Sequence, residues 1–190
     1  MSIIIALVGF GSSGKDAVAR YLVKNFSFKH ISSGDLIREH VVKNNLGDCG
    51  RENLQSVAND LRSKFGADYL ARLGTKEEKD NLIISGLRAI PEIEYIKSLG
   101  GFIVAIDAPV ESRYKWSINR GRSGEIIALD KFIEIENKES VNLNHNNQNI
   151  RQILSIADFT IVNNSDLTEL FYKASEVAKK IIDLDAKQRH

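Results

Sequence analysis

Ser2-Ile-Ile-Ile-Ala-Leu-Val8-Gly9-Phe-Gly-Ser-Ser-Gly14-Lys15-Asp16 joins a continuous apolar run to a glycine-rich turn. The run shows no alternation of apolar and polar residues, as a strand buried on both faces requires. Gly9 to Lys15 then matches the pattern G-x-x-x-x-G-K-[ST] through its lysine. Val18, Tyr21 and Leu22 follow at helical spacing over Lys15–Phe26. Strand, glycine turn and helix in this order are the setting in which the pattern is a phosphate cradle. The glycines let main-chain N–H groups turn inward onto anionic oxygens. The helix N-terminus adds a partial positive charge. Gly9, Gly11, Ser12, Ser13, Gly14 and Lys15 are therefore expected around phosphate oxygens, with Lys15 reaching the terminal ones. Asp16 stands where Ser or Thr normally offers a hydroxyl to magnesium. A carboxylate there is expected to hold the hydrated ion through water. The plainer alternative is an acid favoured by the first helical turn.

Outward from this stretch, strand-like and helix-like pieces alternate. Phe28–Ser32, Asn81–Ser85, Phe102–Asp107 and Phe159–Val162 read as further strands. Asp35–Asn45, Arg51–Phe65, the segment opened by Pro91, Glu111–Arg120 and Leu167–Asp183 read as helices. Alternation of this kind predicts an α/β fold, a five-stranded parallel sheet wrapped by helices. With the cradle, this is a P-loop NTPase three-layer sandwich. No repeat or linker interrupts residues 1–190, so one domain is expected. Two stretches exceed a minimal unit. Residues 34–75 carry several helices and are expected to bind the acceptor. Residues 113–149, largely polar beyond Arg120, are expected to form a lid. Both follow the carboxyl ends of strands, where such proteins cover ligands.

Composition narrows the function classes. The chain has 190 residues, 43% hydrophobic and 27% charged, an ordinary globular mix. Its longest apolar run is too short to span a bilayer, and it lacks the flanks of a signal peptide. A cytoplasmic protein is expected, with no membrane partner. Twenty-six basic against 25 acidic residues leave a net charge of +1, which gives no case for a nucleic-acid partner. A single cysteine, Cys49, excludes an internal disulfide and a cysteine-built zinc site, and reads as a reduced loop thiol. His30, His40, His145 and His190 show no metal-ligand spacing.

A phosphate cradle suits GTPases, motors and kinases alike, and other motifs choose among them. His30-Ile-Ser-Ser33-Gly34-Asp35-Leu-Ile-Arg38 follows the second strand, and Asn81-Leu-Ile-Ile-Ser85-Gly86-Leu-Arg88 spans the third. In these segments the chain resembles the adenylate-kinase-like nucleoside monophosphate kinases. Ala157-Asp158-Phe-Thr-Ile-Val-Asn163-Asn164 is similar to the last strand of that group and of dephospho-coenzyme A kinases. The Gly-Lys-Asp ending of the cradle resembles phage-type deoxynucleoside monophosphate kinases and the animal type of phosphomevalonate kinase. Arg51-Glu-Asn-Leu-Gln55 with Leu61-Arg62 looks like the helical acceptor region of the phage-type enzymes and of an uncharacterised archaeal kinase-like family.

The resemblance implies ATP as donor, magnesium as cofactor and a small phosphate-bearing, nucleotide-like acceptor. Arg38 and Arg88, with Gly86, would hold the acceptor phosphate, which suits the paired hydrogen bonds of planar guanidinium groups. Ser33 would bond the acceptor sugar or base. Asp35 would hold magnesium through water or cap its helix. Many of the resembling kinases carry Asp where this chain has Ser85, so Asp16 and Asp35 would carry the magnesium shell between them. Arg113, Arg120 and Arg122 fall where the resemblance places the lid, with Arg120 and Arg122 its best pair, and Arg151 returns from the other side. Preplaced cations of this kind do much of the work of phosphoryl transfer. Trp116 reads as a packing residue. Asn163-Asn-Ser-Asp166 lacks the lysine of a guanine-reading motif, which favours ATP over GTP.

The expected activity is nucleoside or deoxynucleoside monophosphate kinase. The alternatives are a kinase acting on a hydroxyl, such as a dephospho-coenzyme A kinase with Asp35 as base, and a non-catalytic nucleotide-binding module.

Overall fold

The structure is a computed structural model and describes residues 2–76, 80–121, 128–140 and 149–188. Its elements in chain order are β1 (Ile4–Val8), α1 (Lys15–Phe26), β2 (Lys29–Ser32), α2 (Ser33–Asn44), α3 (Arg51–Phe65), α4 (Tyr69–Thr75) and β3 (Leu82–Ser85). They continue as α5 (Ile90–Ser98), β4 (Phe102–Asp107), α6 (Val110–Arg120), α7 (Leu129–Ser140), α8 (Ile150–Ser155), β5 (Phe159–Val162) and α9 (Leu167–Gln188). The five strands form one sheet in the order β2-β3-β1-β4-β5, every neighbouring pair parallel. The α/β three-layer reading is therefore the fold observed.

The uniform apolar strands serve both faces of the sheet, because successive side chains point to opposite sides. Ile5 and Leu7 of β1 join Val18 and Leu22 of α1 and Leu170, Ala174, Ala178 and Ile181 of α9 on one face. Ala6 and Val8 meet Ile90, Ile93 and Ile96 of α5 and Ile153 of α8 on the other. The α2–α3–α4 insertion has a core of its own, built from Ile37, Val41, Val57, Ala58, Leu61 and Leu70. Parallel pairing aligns all carboxyl strand ends on one edge. Ser85 stands beside Leu7 and Ser32 there, so the loops after β1, β2 and β3 emerge together.

Two boundaries differ from the sequence reading for local reasons. Helix α2 starts at Ser33 because the Ser32 hydroxyl accepts from the Asp35 N–H at 3.3 Å. Ser32 is thus the cap and Asp35 lies in the first turn. Helix α7 occupies part of the stretch read as polar covering. Its residues Leu129, Phe132, Ile133 and Glu136 recur at helical spacing, and Phe132 and Glu136 are buried. The expected lid pair is only partly placed: Arg122 and most of the Asn-rich run lie outside the described residues. Among the described residues, no helix is long and apolar enough to cross a membrane.

Candidate active site

The cradle is built where β1 meets α1. Gly9 has φ 143°, and a Cβ there would lie 2.2 Å from the Ile106 carbonyl oxygen of β4. Only glycine lets the loop pass this close to the neighbouring strand. Gly9 therefore shapes the loop from behind, while Gly11, Ser12, Ser13, Gly14, Lys15 and Asp16 line a cavity of about 1220 Å³ in front of it. The Lys15 ammonium lies over its own loop, donating to the Gly9 and Phe10 carbonyls at 2.9 and 2.6 Å and lying 3.4 Å from Ser13 Oγ. Asp16 is in the first turn of α1 at the cavity wall.

The loop is braced from the far edge of the sheet. Asn163, one residue past β5 and buried, donates from Nδ2 to the Ser13 carbonyl at 3.0 Å. A Cβ on Gly14 would sit 2.6 Å from that same Nδ2, so the glycine makes room for the brace. Of the Asn163–Asp166 loop, Ser165 and Asp166 border the cavity, while Asn163 holds the main chain. Asn163→Ala is expected to leave the Ser13 carbonyl without its donor, at a cost of about 1–3 kcal/mol. Lower thermal stability together with weaker nucleotide binding in a calorimetric titration would show it.

Across the cavity stand the residues expected to serve an acceptor. Ser33, Gly34, Asp35 and Arg38 of α2 and Gly86 and Arg88 after β3 all line it. Gly86 has φ 85°, and a Cβ on it would meet Ser33 Oγ at 2.7 Å, which locks the two loops together. Arg38 and Asp35 form an ion pair at 2.6 Å on the exposed rim. The Arg88 N–H donates at 2.7 Å to Glu92 Oε2, which also accepts from Ala89 N–H at 2.9 Å. The other oxygen of this fully buried carboxylate accepts from Arg62 Nε at 2.9 Å. Helix α3 is thereby tied to the loop carrying Gly86 and Arg88. Leu54, Gln55, Ala58 and Arg62 of α3 complete that wall. Leu54, Gln55 and Arg62 fall in the block likened above to a helical acceptor region, and the four-residue spacing of Leu54, Ala58 and Arg62 is a second signal.

His30 was read only as lacking metal-ligand spacing, yet it sits at the cavity with Nε2 2.8 Å from Ser85 Oγ. Burial pushes its imidazole below the ordinary value of 6.5, against the opposing pull of the Asp16 and Asp35 carboxylates, and nearby Arg20 lowers it further. A folded-state value below the unfolded one means that the unfolded chain binds more protons in the interval. The stability this group contributes is present above pH 6.5 and is lost as pH falls through the folded value. Denaturant midpoints near pH 7.5 and near pH 5 are expected to differ more for the wild-type chain than for His30→Gln.

On the β4 side, Arg120, Trp116 and Ser117 of α6 and Phe132 of α7 close the cavity. Trp116 thus borders the site, where packing alone was expected. Arg113 is buried: it donates from Nε to the Ala108 carbonyl at 2.8 Å, pairs with Glu136 of α7 and lies 4.6 Å over the Phe10 ring. It ties α7 to α6 and to the cradle. Arg151 is exposed, with Nη2 3.3 Å from Asn137 Oδ1, and does not line the cavity. Cys49 is exposed at the cavity border. Among the described residues, no three His, Cys, Asp or Glu side chains converge on a metal position. Asp16 and Asp35 both line the cavity, on the cradle side and on the α2 side.

A parallel sheet in this order, whose first strand runs into a phosphate cradle facing a helical insertion, defines a P-loop kinase-like protein. The chain belongs to the AAA domain family (AAA_17), which it matches over residues 8–126, and to the UPF0200 proteins. It is 30% identical over 176 residues to UPF0200 protein TV0279 of Thermoplasma volcanium, covering 90% of this chain and 93% of that one. It is 29% identical over 184 residues to a UPF0200 protein of Aeropyrum pernix, covering 95% and 94%. Among solved structures it resembles TT1252 from Thermus thermophilus, with TM-score 0.64, 16% identity and coverage of 94% and 97%. It also resembles shikimate kinase from Acinetobacter baumannii in complex with shikimate, with TM-score 0.55, 19% identity and coverage of 99% and 95%. At these identities the structural likeness is one of fold.

Proposed function

We propose that this chain is a cytoplasmic ATP-dependent phosphotransferase that moves the γ-phosphoryl group of ATP onto the phosphate of a small acceptor, a nucleoside or deoxynucleoside monophosphate. The observation that carries this reading is the cavity itself. One continuous space of about 1220 Å³ runs from the Gly11–Asp16 cradle to Arg38 and Arg88. In our reading two anionic molecules lie in it end to end.

In this reading the donor phosphates rest on the N–H groups of Gly11–Lys15. Lys15 swings from its loop carbonyls onto the terminal phosphate. Arg120 and Arg122 neutralise charge that spreads over the transferring oxygens. Arg38 and Arg88 clamp the acceptor phosphate, with Gly86 and Ser33 shaping the approach. Magnesium, held through water by Asp16 and Asp35, would offset the charge of the donor phosphates. Catalysis is then positioning and charge neutralisation. An ionised phosphate acceptor needs no base, in keeping with an Asp35 carboxylate bound to Arg38. A hydroxyl acceptor would need that carboxylate as its base. Residues 1–190 act in this scheme as one unit, with 34–75 binding the acceptor and 113–149 forming the lid.

The test is a screen with ATP and magnesium against the common nucleoside and deoxynucleoside monophosphates and dephospho-coenzyme A, with products resolved by chromatography. ADP together with a nucleoside diphosphate is the expected outcome. Phosphorylation of dephospho-coenzyme A alone would establish the hydroxyl kinase, and ATP binding without transfer would establish a binding module. In the active enzyme, Asp16→Ala is expected to raise the magnesium concentration needed for half-maximal rate; an unchanged magnesium dependence would remove Asp16 from the metal shell.

A further inference from the structure

Arg62 is the buried cation for which the scheme above has no use. Its side chain is 2% exposed, yet it borders the cavity at the end of α3. Its described partners are few: Nε donates to Glu92 Oε1 at 2.9 Å, and Nη1 is 3.4 Å from Asn59 Oδ1. A guanidinium carries five donors in a fixed fork. With Nε turned toward Glu92, Nη2 has no partner among the described residues. Glu92 already accepts three hydrogen bonds, one from Arg62 Nε and two from the Arg88 and Ala89 N–H groups. Buried donors are rarely left unmet. A cation held this way beside a cavity is arranged for an anion.

The position of that anion follows from the same carboxylate. Glu92 binds the Arg62 side chain with one oxygen and the Arg88 main-chain N–H with the other, so α3 and the loop after β3 are joined at this point of the wall. Leu54, Ala58 and Arg62 succeed one another at four-residue intervals along α3 and all line the cavity. They form a stripe about 12 Å long at 1.5 Å rise per residue. Its outer part is apolar, reinforced by Ile37 of α2, and its inner end is the guanidinium. An acceptor fitted to this wall has an apolar or flat body and an oxyanion at one end.

Resting on the kinase reading above, we propose that Arg62, oriented by Glu92, binds the phosphate of the acceptor and is a specificity residue for phosphomonoesters. Paired N–H donors on a planar cation suit a phosphate better than an ammonium does. The stripe fits the length of a mononucleotide lying with its base toward Leu54 and its phosphate toward Arg62. A neutral acceptor would leave Nη2 of the guanidinium unmatched and be rejected for that reason.

The experiment is a calorimetric titration of inorganic phosphate into the full chain saturated with a non-hydrolysable ATP analogue, which occupies the cradle. The wild-type chain is compared with Arg62→Lys, which keeps the charge, and with Arg62→Met/Glu92→Gln, which removes both buried charges together. Both variants are first checked for cooperative unfolding. The expected result is phosphate binding by the wild-type chain, weakened about ten- to a hundredfold in the folded variants. No phosphate binding by the wild-type chain, or wild-type affinity in either folded variant, overturns the proposal. Turnover separates this result from the kinase reading. In an active enzyme the variants are expected to raise KM for the acceptor and leave KM for ATP unchanged. If acceptors turn over and the acceptor KM does not move, Arg62 is structural and the kinase reading stands. If phosphate binding depends on Arg62 while no acceptor turns over, the site stands and the kinase reading falls.

Discussion

Lys15→Met is expected to lower turnover by about a hundred- to a thousandfold, the range found when one preplaced donor to a developing oxyanion is removed. The side chain is half-buried at the start of α1, and its ammonium is satisfied by the Gly9 and Phe10 carbonyls and by Ser13. Those bonds position a positive charge over the mouth of the loop before any phosphate arrives. Methionine keeps the stem and its packing and loses only the charge. The unfolding temperature is therefore expected to stay close to that of the wild-type chain, while kcat falls and KM for ATP rises less. Steady-state kinetics beside a thermal melt separates the two effects. A variant with wild-type kcat would mean that the phosphate charge is met elsewhere.

Glu92→Ala is expected to have the largest effect on stability, a loss of about 3–5 kcal/mol, the range for breaking a buried ion pair by removing one partner. Three groups converge on this carboxylate: the Arg62 guanidinium and the N–H groups of Arg88 and Ala89. Without it, a buried guanidinium loses its counter-charge and the first turn of α5 loses its cap. At about 2–4 °C per kcal/mol for a chain of this size, the melting temperature should fall by roughly 6–20 °C. Arg62→Met/Glu92→Gln is expected to recover much of that loss, because removing both charges avoids leaving either one alone. Thermal denaturation of the two variants beside the wild-type chain tests this. A Glu92→Ala chain as stable as wild type would mean that the pair contributes little.

The two predictions concern residues that differ in how plainly the sequence displays them. Lys15 is visible because a cradle is built from neighbours in the chain: turn, helix start and lysine lie within seven residues, and the apolar strand before them supplies the context. Ser33, Arg38, Gly86 and Arg88 are visible for a related reason. Each follows a strand, and parallel strands end on a common edge. Arg62 is marked only by the likeness of its helix to an acceptor region, and the pairing of Arg62 with Glu92 carries no mark at all. They are 30 residues apart, on helices that follow different strands, and each looks like an ordinary surface charge until α3 packs against the start of α5. Asn163 is similar, since its bond to the Ser13 carbonyl spans 150 residues. Helix α7 was hidden by its polar surroundings: its apolar residues are few, and Glu136 is buried only because Arg113 meets it.

The amino-acid sequence by itself determined the alternation of strands and helices, the five-stranded parallel sheet and the place of the phosphate cradle. These rest on short-range rules: uniform apolar runs, helical spacing, and glycine where a turn must pass close to another strand. Only the tertiary structure decided which charges are buried and which face the cavity. A guanidinium or carboxylate has the same sequence signature in solvent as in a core. Its surroundings are set by distant segments packed around it, and those surroundings make Arg113 a brace, Glu92 a hub and Arg62 a buried cation at the cavity border.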